Sequence, residues 1–493
     1  MGKKKADQSN NPETGTLGKG GLARRKLFQA VAAATPMAFL ATRSASPLSA
    51  GSVDSAPLGA VGQRHNESSI LKSLLERARQ MMIFDTHEHI IPEDARLKSK
   101  VDVFLLLSHY TDFDLLSAGM SPQAVKNLQN HDLSREDRWK ELAPYWARTR
   151  TTGYARCMLI AARDLFGVED INSETYLTLS DRMAAANRPG WYQTVLKEKA
   201  RIEGAVLDDI AATNGESLHP DPRFFKLVAR FDYFLICSQR KDLEHLEKVT
   251  GVAVPSLAGM EKALAAAVEK RLQEGAVGFK CAAAYFRTLQ FDDVSRSDAE
   301  RAFDSLFGSP AAGSGPALAS LQKQLGDYMM HKLMQHAAER HLPVQIHTGS
   351  LLGSQYPVAR TNPAHLTNLL PKYPPVRFAL FHGGYPYTSE FAAIAKNLPN
   401  VYADLCWLHI LAPGQAKKLL SELIETVPAN KILGFGGDFL HVEGAYGHAQ
   451  MARAVTAEVL AEKVEQGYLK EEEAANLLER ILHQNGRELF ASA

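Results

Sequence analysis

No two of the four cysteines, Cys157, Cys237, Cys281 and Cys406, stand in a C-x-x-C pair, which excludes a zinc knuckle and a thioredoxin-like redox pair. They read as buried thiols in apolar segments, with no disulfide framework. Nor does the chain have the unbroken apolar run of about 20 residues that a bilayer span requires, so no stable membrane span is expected. It has no charge excess: 56 Lys and Arg stand against 55 Asp and Glu, a formal +1. Residues 1–50 hold eight basic and two acidic side chains, +6, which leaves −5 for the remainder. A mildly acidic body excludes nucleic acid or an anionic membrane as the main partner, because both reward clustered cations. No repeat is visible beyond alternating strand and helix patterns. What the chain does have, 493 residues that are 45% hydrophobic and 23% charged, is material for a large globular core.

The basic head has an order of its own. Arg24, Arg25 and Lys26 precede a weakly apolar run, Ala30 to Ala41, broken by Thr35 and Pro36, and then a small-residue stretch to Ala50. Charged, then apolar, then small is the order of an export signal. The adjacent arginines resemble a twin-arginine signal, which carries proteins across a membrane already folded. The chain is therefore divided into an export signal at 1–50, a linker at 51–69 and a folded body at 70–493, located in the periplasm or outside the cell.

Helical periodicity over Ile70 to Met82 leads into the body. Eight short apolar runs follow: Met82–Thr86, Gly204–Leu207, Phe231–Ile236, Val277–Lys280, Val344–Ile346, Arg377–Phe381, Val401–Asp404 and Ile432–Phe435. Strands that alternate with helices run parallel through crossovers, and eight such units predict a (β/α)8 TIM barrel of the α/β class. The interval from about 90 to 203 is far too long for one connection. Its periodic stretches, Arg138–Ala147, Ala155–Leu165 and Ser173–Ala186, predict a large helical insertion after strand one that overhangs the C-terminal face.

Chemistry concentrates at that face. Strand one ends in His87-Glu88-His89, whose two imidazoles share one side of a strand and can reach one metal. His347 ends strand five, His382 follows strand six and Asp438 follows strand eight, so five groups suited to metal or proton handling occupy strand ends that face one pocket. Seventeen histidines scattered at random would rarely mark those ends. Asp85 shares the parity of His87 and His89 and either orients an imidazole or has a structural role. Glu88 has the opposite parity and should face the helices.

The segments FDTHEHI, VGFKCAAAY, VQIHTG, FALFHGGYPY, VYADLCW and ILGFGGD, in this order, resemble the amidohydrolase superfamily. Within it, the amidohydrolase-related branch of metal-dependent hydrolases, decarboxylases and glutamine-synthetase-fused domains is the nearest match. NRPGWY at 187–192 resembles the insertion of the glutamine-synthetase-fused and uronate-isomerase-like members. The likeness covers about residues 70–493 and implies that His87, His89, His347 and Asp438 bind one divalent metal, zinc by expectation, while His382 contacts the substrate, its developing charge or the attacking oxygen. Asp438 would take the proton of a metal-activated water and return it to the leaving group, and Gly436 and Gly437 would let the strand end approach the ion.

In binuclear relatives a carboxylated lysine on strand four bridges two metals. Lys280 ends that strand, so a second metal is expected only if Lys280 is carboxylated; otherwise it contacts a substrate carboxylate or packs structurally. Tyr285 and Arg287 can meet an anionic substrate or lie at the surface, and Tyr385 and Trp407 can wall an aromatic or sugar-like substrate or pack in the core. The expected partner is a small molecule, with a homo-oligomer compatible. The function expected from the resemblance is hydrolysis of an amide, ester or lactone of a small carboxylate-bearing molecule. Non-oxidative decarboxylation on the same site and a metabolite-binding barrel without turnover are the alternatives. Uronate isomerisation is disfavoured because Phe439 and Leu440, not an arginine, follow Asp438.

Overall fold

Eight short parallel strands form one sheet in sequential order, β1 (Ile83–Glu88), β2 (Ile202–Asp208), β3 (Phe225–Arg230), β4 (Ala276–Cys281), β5 (Pro343–Ile346), β6 (Arg377–Leu380), β7 (Val401–Asp404) and β8 (Ile432–Leu433). The computed structural model describes residues 68–208, 210–216, 219–308, 316–353 and 357–491, and all of them fall in one compact unit. The export segment and almost all of the linker lie outside the described residues.

The register holds neighbouring strands level, with Asp85 beside Ala205 and Lys280 beside Gln345. Closure comes from the backbone beyond β8. Thr86 N–H donates to the Phe435 carbonyl at 3.0 Å, Asp438 N–H to the His87 carbonyl at 2.8 Å, and His89 N–H to the Phe439 carbonyl at 3.0 Å. The first and last strands therefore meet, and the fold is a TIM barrel.

The third strand departs from expectation. The apolar run at 231–236 begins with a short helical turn, Asp232–Leu235, and the strand lies just before it at Phe225–Arg230. The run at 231–236 is the more apolar of the two, because β3 carries Lys226 and Arg230 on either side of Leu227-Val228-Ala229. Lys226 reaches out to the Phe490 carbonyl at 3.3 Å, while Arg230, at the opposite end of the strand, ends against Asp208.

Between β1 and β2 the chain forms seven α-helices, the longest being Arg135–Thr149, Gly153–Phe166 and Tyr176–Ala186, and then a π-helix, Gln193–Lys199. Local chemistry sets their limits. Ser134 and Thr152 hydroxyls accept from the N–H groups of Asp137 and Ala155, as N-caps do. Gly167, at φ 63°, ends the second in the left-handed conformation. Among the described residues no helix is long and apolar enough to cross a membrane.

Buried charge ties this insertion to the barrel. Glu443, at the start of the helix Val442–Glu465, accepts from both terminal nitrogens of Arg96 at 3.2 and 2.6 Å and from Trp191 Nε1 at 2.9 Å. The Trp of the NRPGWY segment thus anchors the insertion to the helix that follows Asp438. Glu443→Ala would leave Arg96, 2% exposed, without its counter-charge. Urea unfolding is expected to show a loss of about 3–5 kcal/mol, with a smaller loss for Glu443→Gln; an unchanged midpoint for Glu443→Ala contradicts this role.

Candidate metal centre

Every residue of β1 is buried, so each polar group on it must find a partner. The His87 imidazole donates from Nδ1 to Gln345 Oε1 at 3.0 Å, and Gln345 in turn donates to the Thr86 carbonyl at 2.7 Å. His89 donates from Nδ1 to the Asp208 carbonyl at 2.8 Å. In each neutral ring the proton is then on Nδ1 and the lone pair on Nε2. Those two Nε2 atoms face each other at 3.3 Å, and Asp438 Oδ1 stands 3.2 Å from the second and 3.7 Å from the first.

One ligand atom from each of His87, His89 and Asp438 lies within 4.8 Å of the others. Three acceptors converging in a buried site repel one another unless a cation lies between them, and two imidazoles with a carboxylate are the donors a divalent metal takes. Burial lowers the pKa of His87 well below the usual range, and the charge of Lys280 adds to this, so the ring stays neutral.

His347 is not in that group. Gln345 occupies the place on β5 that faces His87, and His347, two residues on, turns to donate from Nε2 to the Ser350 carbonyl at 2.7 Å. Its Nδ1 meets His382 Nε2 at 3.1 Å. His382 donates from Nδ1 to the Cys406 carbonyl at 2.9 Å, which leaves its Nε2 an acceptor. A neutral His382 can therefore hold a proton-bearing oxygen but cannot donate to an oxyanion. Burial keeps it neutral, with a pKa lowered to about 4.

Asp85 does not orient an imidazole. Its Oδ1 accepts from the His87 and Gly437 N–H groups at 3.1 and 3.0 Å, bracing the two backbones that carry the donors. Glu88, expected to face the helices, is wedged between the same segments and accepts from Phe439 N–H at 2.7 Å. Burial raises the pKa of Asp85 to about 7 and that of Glu88 well above the usual range.

Sequence reasoning missed Asp208 and Arg230, charges on β2 and β3 that stand beside the expected Lys280 of β4. Arg230 Nε lies 2.8 and 2.7 Å from the two Asp208 oxygens, and Asp208 Oδ2 is 3.7 Å from His87 Nε2. Lys280 Nζ is 3.4 Å from His87 Nε2 and 3.6 Å from the centre of the Phe381 ring. Burial lowers its pKa to about 8, and Arg230 adds to the shift.

The remaining candidates separate. Tyr285 lies 4.7 Å ring to ring from His347, and Trp407 lies 5.0 Å from His382. Arg287 does not reach the site: its guanidinium pairs with Asp327, lies 4.8 Å over the Phe291 ring and donates to nearby carbonyls. Tyr385 packs in the apolar layer around β3 to β8. The insertion supplies a wall that the sequence did not mark. Tyr110 donates to the Asp438 carbonyl at 2.6 Å and stacks on Trp407 at 5.0 Å, with Tyr154 on its other side at 5.1 Å. His109, His382, Trp407 and Asp438 all take left-handed backbone, with φ of 60° to 64°, a strain that concentrates at functional sites.

Gly436 and Gly437 are required by protein neighbours, which corrects the expectation that they clear space for an ion. A Cβ on Gly436 would lie 2.7 Å from Thr86 Oγ1, and one on Gly437 would collide with the Glu88 carboxylate. Gly437→Ala is expected to lower the urea midpoint, and the loss should shrink when Glu88→Ala is combined with it. Additive effects in the double variant contradict this contact.

The amidohydrolase family model matches residues 246–491. Protein fluG of Emericella nidulans is 30% identical over 222 residues, which cover 43% of this chain and 25% of that protein. Uronate isomerase of Rhizorhabdus wittichii is 23% identical over 454 residues, 83% of this chain and 92% of the relative. Among solved structures, uronate isomerase of Thermotoga maritima superposes with a TM-score of 0.72 at 16% identity, over 85% of this chain and 97% of that one; at that identity the likeness shows the fold. With eight parallel strands in sequential order and this match to the second half of the chain, the protein belongs to the amidohydrolase superfamily of enzymes.

Proposed function

We propose that this chain is a metal-dependent hydrolase that cleaves an amide, ester or lactone bond in a small carboxylate-bearing molecule. The observation that carries the reading is the meeting of two imidazole lone pairs and one carboxylate at His87, His89 and Asp438. These three would hold a divalent ion; imidazole and carboxylate donors suit zinc, iron, nickel or manganese, and zinc is the ion proposed. When bound, such an ion acts as a Lewis acid and brings the pKa of water toward neutrality.

The chain's own groups supply the rest. Asp438 stays ionised and accepts a proton at its carboxylate, then returns it to the leaving group. His382 Nε2, an acceptor, holds the attacking oxygen through its hydrogen. Lys280 places a cation beside the reacting centre for developing negative charge, and Arg230, aligned by Asp208, offers a guanidinium for a substrate carboxylate. Tyr110, Tyr154 and Trp407 exclude water from above.

Isomerisation of a uronate-like acid is the second reading, favoured by the length of the alignment with the Rhizorhabdus enzyme. Against it stands the expectation, taken from the resemblance, of an arginine directly after the strand-eight aspartate, where Phe439 and Leu440 follow here.

Metal analysis and substrate profiling test both. His87→Ala is expected to lose most of the metal that the wild type retains, and an unchanged metal-to-protein ratio contradicts the proposed ligand set. A panel of lactones, amides and esters is expected to yield new carboxylate, with acids preferred over their carboxamides. Ketose formed from a uronate without new acid would replace hydrolysis by isomerisation, and carbon dioxide release would replace it by decarboxylation. No turnover by the metal-loaded chain would leave a binding barrel.

We also propose that the segment around Arg24-Arg25 exports the chain after folding, which suits a metal site assembled from distant strands. Replacing both arginines by lysine is expected to leave the protein in the cytoplasm. Undiminished export contradicts it.

A further inference from the structure

Strand β8 is only two residues long, and the chain must run on beyond it to carry Asp438 to its place. Along that run each carbonyl finds a donor. Phe435 accepts from the Thr86 N–H at 3.0 Å, Gly436 from the Trp407 N–H at 3.0 Å, and Asp438 from the Tyr110 hydroxyl at 2.6 Å. The carbonyls of Gly434 and Gly437 are met by imidazoles from two other elements. His409, in the helical turn Leu408–Leu411 after β7, donates from Nε2 to the Gly434 carbonyl at 2.9 Å. His448, in the helix Val442–Glu465, donates from Nδ1 to the Gly437 carbonyl at 3.0 Å.

Both imidazoles are fully buried, and a carbonyl can only accept, so the proton of each ring is on the nitrogen that faces the run. Burial keeps the rings neutral, with pKa values lowered to about 4 for His409 and about 3 for His448. The other nitrogen of each, His409 Nδ1 and His448 Nε2, has no partner among the described residues. A buried lone pair without a donor costs free energy, and an apolar side chain would pack against Phe435, 5.2 Å from the His448 ring, without that cost. What these imidazoles add over an apolar residue is therefore one N–H each, aimed at the segment that carries Asp438.

The peptide between Gly437 and Asp438 is planar, so holding its two polar ends fixes the plane. Its N–H donates to the His87 carbonyl at 2.8 Å, and its C=O accepts from His448. From that plane the chain turns through a φ of 60° at Asp438, left-handed backbone that is strained for any residue but glycine. We propose that His448 is a positioning residue: by holding this peptide it keeps Asp438 in the turn that brings its Oδ1 to 3.2 Å from His89 Nε2, while His409 fixes the start of the same run at Gly434. The imidazole acts through the main chain and touches no reacting atom. The inference rests on the reading of His87, His89 and Asp438 as one donor set for its effect on metal, and on the hydrogen bonds alone for its effect on the backbone.

Exchange of the donor at 448 tests it. An asparagine amide places an N–H near the position of imidazole Nδ1, a glutamine amide places one near Nε2, and leucine keeps the bulk without a donor. In the metal-free full chain, hydrogen–deuterium exchange over residues 434–440 is expected to quicken about tenfold in His448→Leu and His448→Gln and to return toward the wild-type rate in His448→Asn. Zinc affinity, read by competition with a chromophoric chelator, is expected to fall about ten- to hundredfold in the first two and to recover in the third. His409→Leu should move both readouts less, because Gly434 lies four residues from Asp438. Should His448→Leu fail to fold by circular dichroism, the comparison of His448→Asn with His448→Gln reads the same N–H. Exchange and affinity that are equal in the Asn and Gln variants overturn the proposal, since bulk alone would then account for the histidine, and so does faster exchange in His448→Leu with zinc affinity unchanged. Exchange that follows the donor while wild type itself binds no zinc would uphold the positioning role and overturn the metal reading alone.

Discussion

The seam between β1 and the backbone after β8 is the constraint on which the rest depends. Hydrogen bonds from Asp438 N–H to the His87 carbonyl and from His89 N–H to the Phe439 carbonyl close the barrel and bring two histidines from its start beside a carboxylate from its end. The same seam contains Asp85 and Glu88, whose carboxylates take the Gly437 and Phe439 N–H groups. The carboxyl groups that brace the backbone therefore sit in the same seam as the side chains that would hold an ion. Glycine at 436 and 437 follows from this crowding, because Thr86 and Glu88 already fill the space a side chain would need.

Above the seam, the insertion makes the pocket's roof part of the barrel's fold. Tyr110 reaches down to the Asp438 carbonyl, and the Arg96–Glu443–Trp191 set fastens the same insertion to the helix that follows. Left-handed backbone at His109, Trp407 and Asp438 is held by these contacts. The donor positions and the groups that exclude water from them are thus one packed unit, which allows buried charges such as Lys280 and Arg230 to persist beside them.

The sequence made much of this legible, for reasons that differ by residue. His87, His89 and Asp438 could be found because strand ends in a barrel face one pocket, and apolar runs ending in such residues are visible in the letters. Arg230 and Asp208 were hidden because the short β3 carries a lysine and an arginine while a more apolar run follows it. Gln345 carries no sequence signal, because its role in fixing the His87 proton depends on β5 lying across the barrel from β1, as does the separate placement of His347. Nothing in the insertion's helical periodicity singled out His109 or Tyr110, since their roles come from where that insertion docks. Arg287, which its loop position left open to a substrate contact or to the surface, gives its charge to Asp327 on the helix Pro316–Glu339.

Anomalous diffraction at the metal absorption edge, from crystals of the metal-loaded chain, tests the central claim most directly. A peak within bonding reach of His87 Nε2, His89 Nε2 and Asp438 Oδ1 is the predicted result. Metal peaks elsewhere in the molecule, with none between these three atoms, would contradict the account.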